Sequence, residues 1–302
     1  MAQIGEALTL AQTQQLSADL AGAVDGGDVF FAMENCSVVF GGLTAVSKVS
    51  FKLGRRDLVG LIGPNGAGKT TIFNLITGVY VPTTGRILFN GNQIAGPVNQ
   101  ERGDAKRFFR KGSRMTSWGR RDIARAGICR TFQNIRLFHG LSVLQNVLVA
   151  SHSRYRQSIG GAMLRSARYY EAESGAREQA HALLAALKLL DYEHFLAHNL
   201  PYGAQRRLEI ARALATRPQL LLLDEPAAGM NPQESAELME MIRWVRENYG
   251  LTILLIEHDM KVVMGMCERI LVLDNGCVIA DGAPAEVRSD PRVVTAYLGT
   301  EE

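Results

Sequence analysis

The side chains best suited to chemistry occur at three separate points of this 302-residue chain. Lys69 and Thr70 close a glycine-rich stretch, Asp224 and Glu225 stand side by side, and His258 follows further on. A lysine beside a hydroxyl can bind phosphate oxygens and a divalent cation, and paired carboxylates can hold that cation and serve as a base. An imidazole can exchange a proton or a hydrogen bond with the same phosphate. Together these types predict phosphoryl-transfer chemistry.

The glycine-rich stretch matches the pattern G-x-x-x-x-G-K-[ST] at Gly63, Gly68, Lys69 and Thr70. An apolar run over 58–62 predicts a strand before it, and apolar residues at helical spacing predict a helix after it. Backbone N–H groups of such a loop surround nucleotide phosphates, because glycine has no Cβ to hold the backbone away. Lys69 is predicted to reach the β- and γ-phosphates, and Thr70 to complete a Mg²⁺ shell. The alternative is an ordinary turn with an exposed lysine, but the flanking strand and helix favour nucleotide binding.

The carboxylate pair follows four aliphatic residues, 220–223, which predict a strand buried on both faces. Ligands bind at the carboxyl ends of strands in parallel sheets. Asp224 is therefore predicted to hold Mg²⁺ through water, and Glu225 to orient and deprotonate the water that attacks the γ-phosphate. The alternative is a solvated acidic turn.

Two further side chains are candidates for the same site. His258 follows a second aliphatic run, 252–256, and is predicted to contact the γ-phosphate and position both Glu225 and the water. On its own, such a histidine is more often structural. Phe40 precedes a Gly41-Gly42 turn and either offers its ring to a purine or is an edge or core aromatic; both interpretations stay open.

Composition places the chain among globular proteins, with a hydrophobic fraction of 47% and a net charge of +3. No apolar stretch approaches the roughly 18 residues of a membrane span, and the first residues lack the features of a secretory signal. We therefore expect a cytosolic protein. The four cysteines show no C-x-x-C pair, so free and mostly buried thiols are expected.

The chain divides into an expected leader, a main domain and a tail. Residues 1–28 are predicted to be a flexible leader, 29–285 the main domain, and 286–302 a helical tail. Helical periodicity, clearest over 178–190, predicts a helical subdomain at about 140–216. Residues 97–122 carry eight basic and three acidic residues. A solvated loop insertion is favoured there over a surface for anionic lipid or nucleic acid.

In order and spacing, these motifs resemble those of the ATP-binding subunits of ABC transporters from about residue 30 onward. The glycine-rich loop, Gln133, a degenerate signature at 200–204, the Asp224-Glu225 pair and His258 all match. Further stretches resemble the branched-chain amino acid importer type: Phe40-Gly-Gly-Leu43, Arg130-Thr-Phe-Gln133, Glu225-Pro-Ala-Ala-Gly-Met-Asn-Pro232, Ile256-Glu-His-Asp-Met-Lys261 and Ala296-Tyr-Leu-Gly299.

The resemblance implies an α/β fold: a RecA-like P-loop ATPase core with an antiparallel β subdomain and an inserted helical subdomain. It implies ATP and Mg²⁺ as ligands and hydrolysis coupled to transmembrane transport. Glu225 and His258 would be catalytic, and Mg²⁺ would be held by Thr70, Gln133 and Asp224, partly through water. ATP would contact Phe40, Gly63, Pro64, Asn65, Gly66, Ala67, Gly68, Lys69, Thr70, Thr71 and Gln133. A signature of Leu200, Tyr202, Gly203, Ala204 and Gln205 would act in trans on a partner's ATP.

The implied partners are separate transmembrane permease subunits, a second ATP-binding subunit and, indirectly, a solute-binding protein, with no nucleic acid. The implied location is the cytoplasmic face of the inner membrane. The signature departs from the usual Leu-Ser-Gly-Gly-Gln and lacks its serine hydroxyl. We therefore expect a heterodimer with a better signature on the partner, although Gly203, Gln205 and the helix dipole could suffice in a homodimer.

Two other functions stay open from the sequence. One is an importer ATPase for another small solute, such as urea or an amide, because this chain does not touch the solute. The other is a soluble ABC ATPase acting on nucleic acid, which the basic segment at 97–122 would serve.

Overall fold

The computed structural model describes residues 30–97, 115–152 and 167–298. The predicted leader at 1–28 and residues 98–114 of the basic segment lie outside this range. The strands are β1 Phe31–Phe40, β2 Leu43–Leu53, β3 Leu58–Ile62, β4 Thr84–Phe89, β5 Asn92–Pro97, β6 Met115–Ser117, β7 Ile128–Arg130, β8 Leu220–Asp224, β9 Thr252–Ile256, β10 Arg269–Asp274 and β11 Cys277–Gly282. The α-helices are α1 Lys69–Ile76, α2 Arg120–Ala126, α3 Val143–Ser151, α4 Ala167–Ala186, α5 Tyr202–Ala215, α6 Pro232–Tyr249, α7 Met260–Met266, α8 Pro284–Ser289 and α9 Pro291–Leu298.

The described residues divide into two compact units. The sheet unit comprises residues 30–97, 115–128, 222–225 and 252–298. The helical unit comprises residues 129–152, 167–221 and 226–251. The glycine-rich loop, Asp224, Glu225 and His258 therefore belong to the sheet unit, whereas Gln133 and the signature belong to the helical unit.

One sheet of the sheet unit is antiparallel, with strand order β2-β1-β4-β5-β6. Phe31 lies opposite Leu53 on one side and Phe89 on the other, and these rings and aliphatics form its buried face. Polar residues alternate with buried ones along both β1 and β2, so the apolar signal of these strands in the sequence is weak. The end of the basic segment also forms structure: β6 pairs with β5, and α2 follows.

The second sheet has the order β11-β10-β3-β9-β8-β7, and β3 pairs in parallel with both β10 and β9. All residues of β3, β8 and β9 are buried, which confirms the prediction that these aliphatic runs are interior strands. The last two strands of this sheet form a hairpin. β10 and β11 are antiparallel around Asn275 and Gly276, both with positive φ, as a two-residue hairpin turn requires.

In the helical unit, a helix cap and one buried amide side chain determine the conformation of the loop before α3. Ser142 and Gln145 form a capping box at the start of α3. The buried Asn146 side chain donates to the carbonyls of Phe138, Leu141 and Ser142 and so shapes the preceding loop. The helix predicted over 178–190 instead ends at Ala186, because Lys188 has a left-handed backbone (φ 55°). Short 3₁₀ helices at Leu190–Tyr192 and Ala197–Asn199 follow.

All four cysteines are free thiols. Cys36 and Cys267 are buried, Cys129 is half-buried and Cys277 is exposed, so the prediction of mostly buried thiols holds for two of them. Burial raises the pKa of Cys36 to about 11, which keeps this thiol protonated and unreactive. Among the helices in the described ranges, none combines the length and apolar character needed to cross a bilayer.

Candidate nucleotide-binding and hydrolysis site

The predicted phosphate loop lies between the buried strand β3 and helix α1, as the sequence pattern required. Gly63 has a φ of 151°, and a Cβ at this position would collide with the carbonyl oxygen of Leu273. Only glycine fits there without moving β10. At the other end of the loop, Gly68 caps α1 in a left-handed conformation (φ 104°). The first turn of α1 therefore presents its backbone N–H groups to the space above the loop.

Lys69 is buried at the base of this loop, with 7% of its surface exposed. Its ammonium group donates to the carbonyls of Gly63 and Pro64, at 2.6 and 2.9 Å. Burial lowers the pKa of Lys69, and the negative charges of Glu225 and Asp224 oppose that shift. A bound polyphosphate would add further negative charge and favour the protonated lysine, which is the form that binds phosphate.

The carboxylate pair lies where β8 ends. Asp224 is the last residue of the strand and is buried, whereas the Glu225 side chain is 15% exposed. Glu225 has a left-handed backbone (φ 48°), which is strained for a residue with a side chain. Its N–H donates to the carbonyl of Ile256, at 2.9 Å, so the neighbouring strand β9 holds it in this conformation. Strain of this kind is concentrated at functional sites, and no residue pattern around Glu225 predicts it.

His258 lies just past the end of β9 and contacts the glutamate directly. Its Nε2 is 2.6 Å from Glu225 Oε1, and the imidazole is 47% exposed. The next residue, Asp259, caps α7 by accepting from the N–H groups of Lys261 and Val262. The cap fixes the backbone beside His258. The predicted closeness of Glu225 and His258 is therefore present, with the imidazole accessible to a ligand.

The oxygen donors available for a cation are few and suit magnesium. Thr70 is exposed at the start of α1, and Asp224 is buried at the end of β8. The described residues contain no group of three or more His, Cys, Asp or Glu side chains able to hold a metal. Mg²⁺ usually takes only one or two protein ligands and completes its shell with water and substrate phosphates. The donor set fits a cation that arrives with a nucleotide better than a resident metal.

Phe40 ends β1 with 43% of its surface exposed. Its ring meets that of Tyr80 edge to face, at 4.9 Å between centroids. One edge of Phe40 is thus fixed while much of the ring remains open to solvent. An exposed and immobilised ring is suited to stacking on a purine, and it is also compatible with an ordinary edge aromatic.

We predict that Phe40→Ala raises the ATP dissociation constant about fivefold, the cost of losing one aromatic stacking contact of about 1 kcal/mol. Titration of the purified chain with a fluorescent ATP analogue would measure it. Leu43→Ala is the matched control, because Leu43 is 72% exposed and lies across the same turn. Equal ATP affinities for wild type and Phe40→Ala would show that Phe40 is an ordinary aromatic at the sheet edge that does not stack on the purine.

The signature residues lie at the start of α5 in the helical unit. Leu200 and Ala204 are buried, and the Gln205 amide donates to the Leu200 carbonyl, at 2.9 Å. Gly203 is half-buried, and Tyr202 is 43% exposed. In the described structure Leu200 and Ala204 thus face the interior, and the Gln205 amide hydrogen-bonds within its own segment. The exposed residues of this motif are Pro201 and Tyr202.

Gln133 lies in an irregular segment after β7, with its side chain exposed. Its backbone carbonyl accepts from the guanidinium of Arg206, at 2.8 Å. Sequence reasoning missed Arg206, a fully buried arginine on a helix whose pattern placed charged residues outside. It also missed Tyr297 in the C-terminal helix, whose pKa the backbone of Gly63 lowers against the larger effect of burial. Burial raises the pKa of Tyr297, so this hydroxyl stays protonated.

Comparison with known proteins identifies the family. A profile described as "ABC transporter" matches residues 46–228. The high-affinity branched-chain amino acid transport ATP-binding protein LivG of Salmonella typhimurium is 44% identical over 268 residues, which cover 89% of this chain and 97% of LivG. This chain belongs to the ABC transporter ATP-binding proteins.

Further matches within this family are to proteins of branched-chain amino acid transport. The branched-chain amino acid transport ATP-binding protein BraF of Pseudomonas aeruginosa is 42% identical over 86% of this chain and 94% of BraF. A profile described as "Branched-chain amino acid ATP-binding cassette transporter" matches residues 277–302. A crystal structure of a nucleotide-free ATP-binding cassette from an ABC transporter superposes with a TM-score of 0.72 at 29% identity, covering 90% of this chain and 100% of that one. The ABC ATPase fold expected from the motifs is therefore confirmed.

Proposed function

We propose that this ABC protein is the ATP-hydrolysing subunit of an importer for branched-chain amino acids. The observation that supports it most strongly is the 2.6 Å contact between Glu225 and His258, in the same unit as Lys69 and its phosphate loop. A base, its positioning imidazole and a phosphate-binding cation are what hydrolysis of a γ-phosphate requires. The choice of solute rests on the LivG and BraF relatives.

Each site residue takes a specific role in this proposal. Lys69 and the backbone N–H groups of 63–71 bind the phosphates, and Phe40 stacks on the adenine. Glu225 accepts a proton from the attacking water, and His258 holds Glu225 and the γ-phosphate in place. Magnesium, held by Thr70 and Asp224 partly through water, would neutralise charge that develops on the phosphates.

The helical unit supplies the part of the site that acts on a partner. The segment from Leu200 to Gln205 completes the ATP site of a second ATP-binding subunit, and that subunit's signature completes the site of this chain. Closure on ATP and reopening after hydrolysis drive the permease between its two states. The chain works at the cytoplasmic face of the inner membrane, bound to permease subunits that receive solute from a binding protein.

The partner ATPase is a different subunit in this proposal. This chain has no serine hydroxyl in its signature, and its Gln205 amide is engaged by Leu200. A site completed by such a signature has fewer donors to the γ-phosphate. The intact Lys69, Glu225 and His258 would therefore work against a better signature on another chain.

The heterodimer proposal predicts that the mixed pair hydrolyses ATP at least about tenfold faster than the purified homodimer, the effect of one missing phosphate donor. Steady-state ATPase assays at equal total subunit concentration would measure both. Similar rates for the two pairs would contradict the heterodimer and leave the signature of this chain sufficient.

The importer assembly is tested by purification in the ATP-bound state. A tagged Glu225→Gln form is extracted gently from membranes with ATP present, and the co-purifying chains are identified. We expect permease chains with many membrane spans together with a second ATP-binding subunit. Recovery from the soluble fraction with nucleic acid would contradict the transporter function and give the basic segment at 97–122 a role.

A further inference from the structure

Arg206 is a buried arginine at the centre of a hydrogen-bond network in the helical unit. Its guanidinium is completely buried, with 0% of its surface exposed. One nitrogen, Nη1, donates to the carbonyl of Phe132 at 2.7 Å and to Glu209 Oε2 at 2.8 Å. The other, Nη2, donates to the carbonyl of Gln133 at 2.8 Å. A buried charge is tolerated only with partners of this quality. Arg206 therefore fixes helix α5 to the segment that carries Gln133.

Tyr202 extends this centre to a third segment. Its hydroxyl lies 3.4 Å from Arg206 Nη2 and donates to the carbonyl of Ala228, at 2.8 Å. A phenolic oxygen can accept and donate at the same time, so the two bonds are compatible. The ring lies beside Gly229, where a Cβ would come within 3.6 Å of a ring carbon, an ordinary van der Waals distance. Gly229 has a φ of 78°, a backbone conformation that favours glycine.

These contacts join three segments of the helical unit. One carries Gln133, the second is the signature, and the third contains Ala228, the third residue after Glu225. The link depends on a departure from the usual signature, in which a glycine stands at the position of Tyr202. Glycine would leave the Ala228 carbonyl without this donor. The substitution thus removes signature flexibility and adds a fixed connection.

We propose that Tyr202 is a positioning residue that couples the segment after Glu225 to the signature and the Gln133 segment through its hydroxyl. The inference rests on the proposed ATPase function and adds to it. Because the signature serves the partner's ATP site in the proposed function, the Tyr202 hydroxyl fixes that signature to the segment that follows Glu225 in the chain. Removing the hydroxyl disconnects the segment after Glu225 from the signature and the Gln133 segment. This change slows the hydrolytic cycle, while nucleotide binding by the phosphate loop continues.

The test compares Tyr202→Phe with wild type in the assembled transporter in liposomes. We expect kcat for ATP hydrolysis to fall about fivefold, the worth of one hydrogen bond, with KM for ATP unchanged within about twofold. Tyr192→Phe is the matched control, because it removes a hydroxyl from the same unit on a ring that packs against Phe195. The control should keep both wild-type kinetic constants, and both variants should keep the wild-type melting temperature.

Three results would overturn the inference. An unchanged kcat in Tyr202→Phe would show that the hydroxyl couples nothing. A raised KM with an unchanged kcat would mean that the hydroxyl contacts nucleotide directly. A lowered melting temperature, with wild-type kcat restored at a lower assay temperature, would indicate a purely structural contact. Failure of the proposed function is separate from all three, because it would appear in the wild-type complex as no hydrolysis stimulated by amino acid.

Discussion

Replacing Glu225 with glutamine is expected to abolish most ATP hydrolysis while leaving ATP binding intact. Glutamine keeps the size of the side chain and can still hydrogen-bond to His258, but it cannot accept a proton from the attacking water. Loss of a positioned general base typically lowers a rate by about a hundredfold or more. The structure supports a large effect, because Glu225 is mostly buried, is fixed through its N–H to Ile256, and lies 2.6 Å from the imidazole.

The measurement pairs single-turnover hydrolysis with equilibrium ATP binding on the same preparation. Glu247→Gln is the matched control, since it makes the same chemical change on the exposed face of α6 and should hydrolyse ATP at the wild-type rate. Wild-type turnover in Glu225→Gln would remove the glutamate from its role as base. Loss of binding in this variant would instead assign Glu225 to nucleotide affinity.

Replacing Lys69 with alanine is expected to remove both binding and hydrolysis. The ammonium group is buried beneath the loop and donates to the carbonyls of Gly63 and Pro64. Truncating one partner of a buried charge pair costs about 3 kcal/mol, so the ATP dissociation constant should rise about a hundredfold. The variant also loses the positive charge that offsets the negative charges of Asp224 and Glu225. These two carboxylates would then repel the phosphates without compensation.

Isothermal titration with ATP and Mg²⁺ would measure this loss. Lys52→Ala is the control, because Lys52 is an exposed lysine on β2 and should bind ATP like wild type. Thermal unfolding without nucleotide separates a loss of affinity from a loss of structure. An affinity within about threefold of wild type, less than 1 kcal/mol, would contradict the assigned role of Lys69.

The parts of the fold that could be predicted are those with strong local patterns. The strand, glycine-rich loop and helix around Lys69 follow from residue types alone, as do β8, β9 and the β10–β11 hairpin. The antiparallel strands β1 and β2 are harder to predict, because alternating polar residues such as Glu34 weaken the apolar signal. Glu34 instead pairs with Arg86 on the neighbouring strand, at 2.5 Å.

The parts that could not be predicted depend on tertiary contacts. Nothing in the local sequence places Glu225 in a left-handed conformation, because its N–H bond to Ile256 comes from another strand. The helical pattern predicts that Arg206 lies on the surface. In the structure its guanidinium is buried and donates to the carbonyls of Phe132 and Gln133. The candidate site residues and the closeness of Glu225 to His258 were therefore predictable, whereas the tertiary hydrogen bonds that hold their backbones were not.

The central claim is that ATP hydrolysis by this chain drives uptake of branched-chain amino acids. The most direct measurement is uptake of labelled leucine by cells that lack the chain and are supplied with wild type or Glu225→Gln, with labelled urea as a parallel substrate. We predict leucine uptake restored by wild type alone, with no change in urea uptake. Restored uptake of urea but not leucine, or equal leucine uptake with Glu225→Gln, would contradict the account.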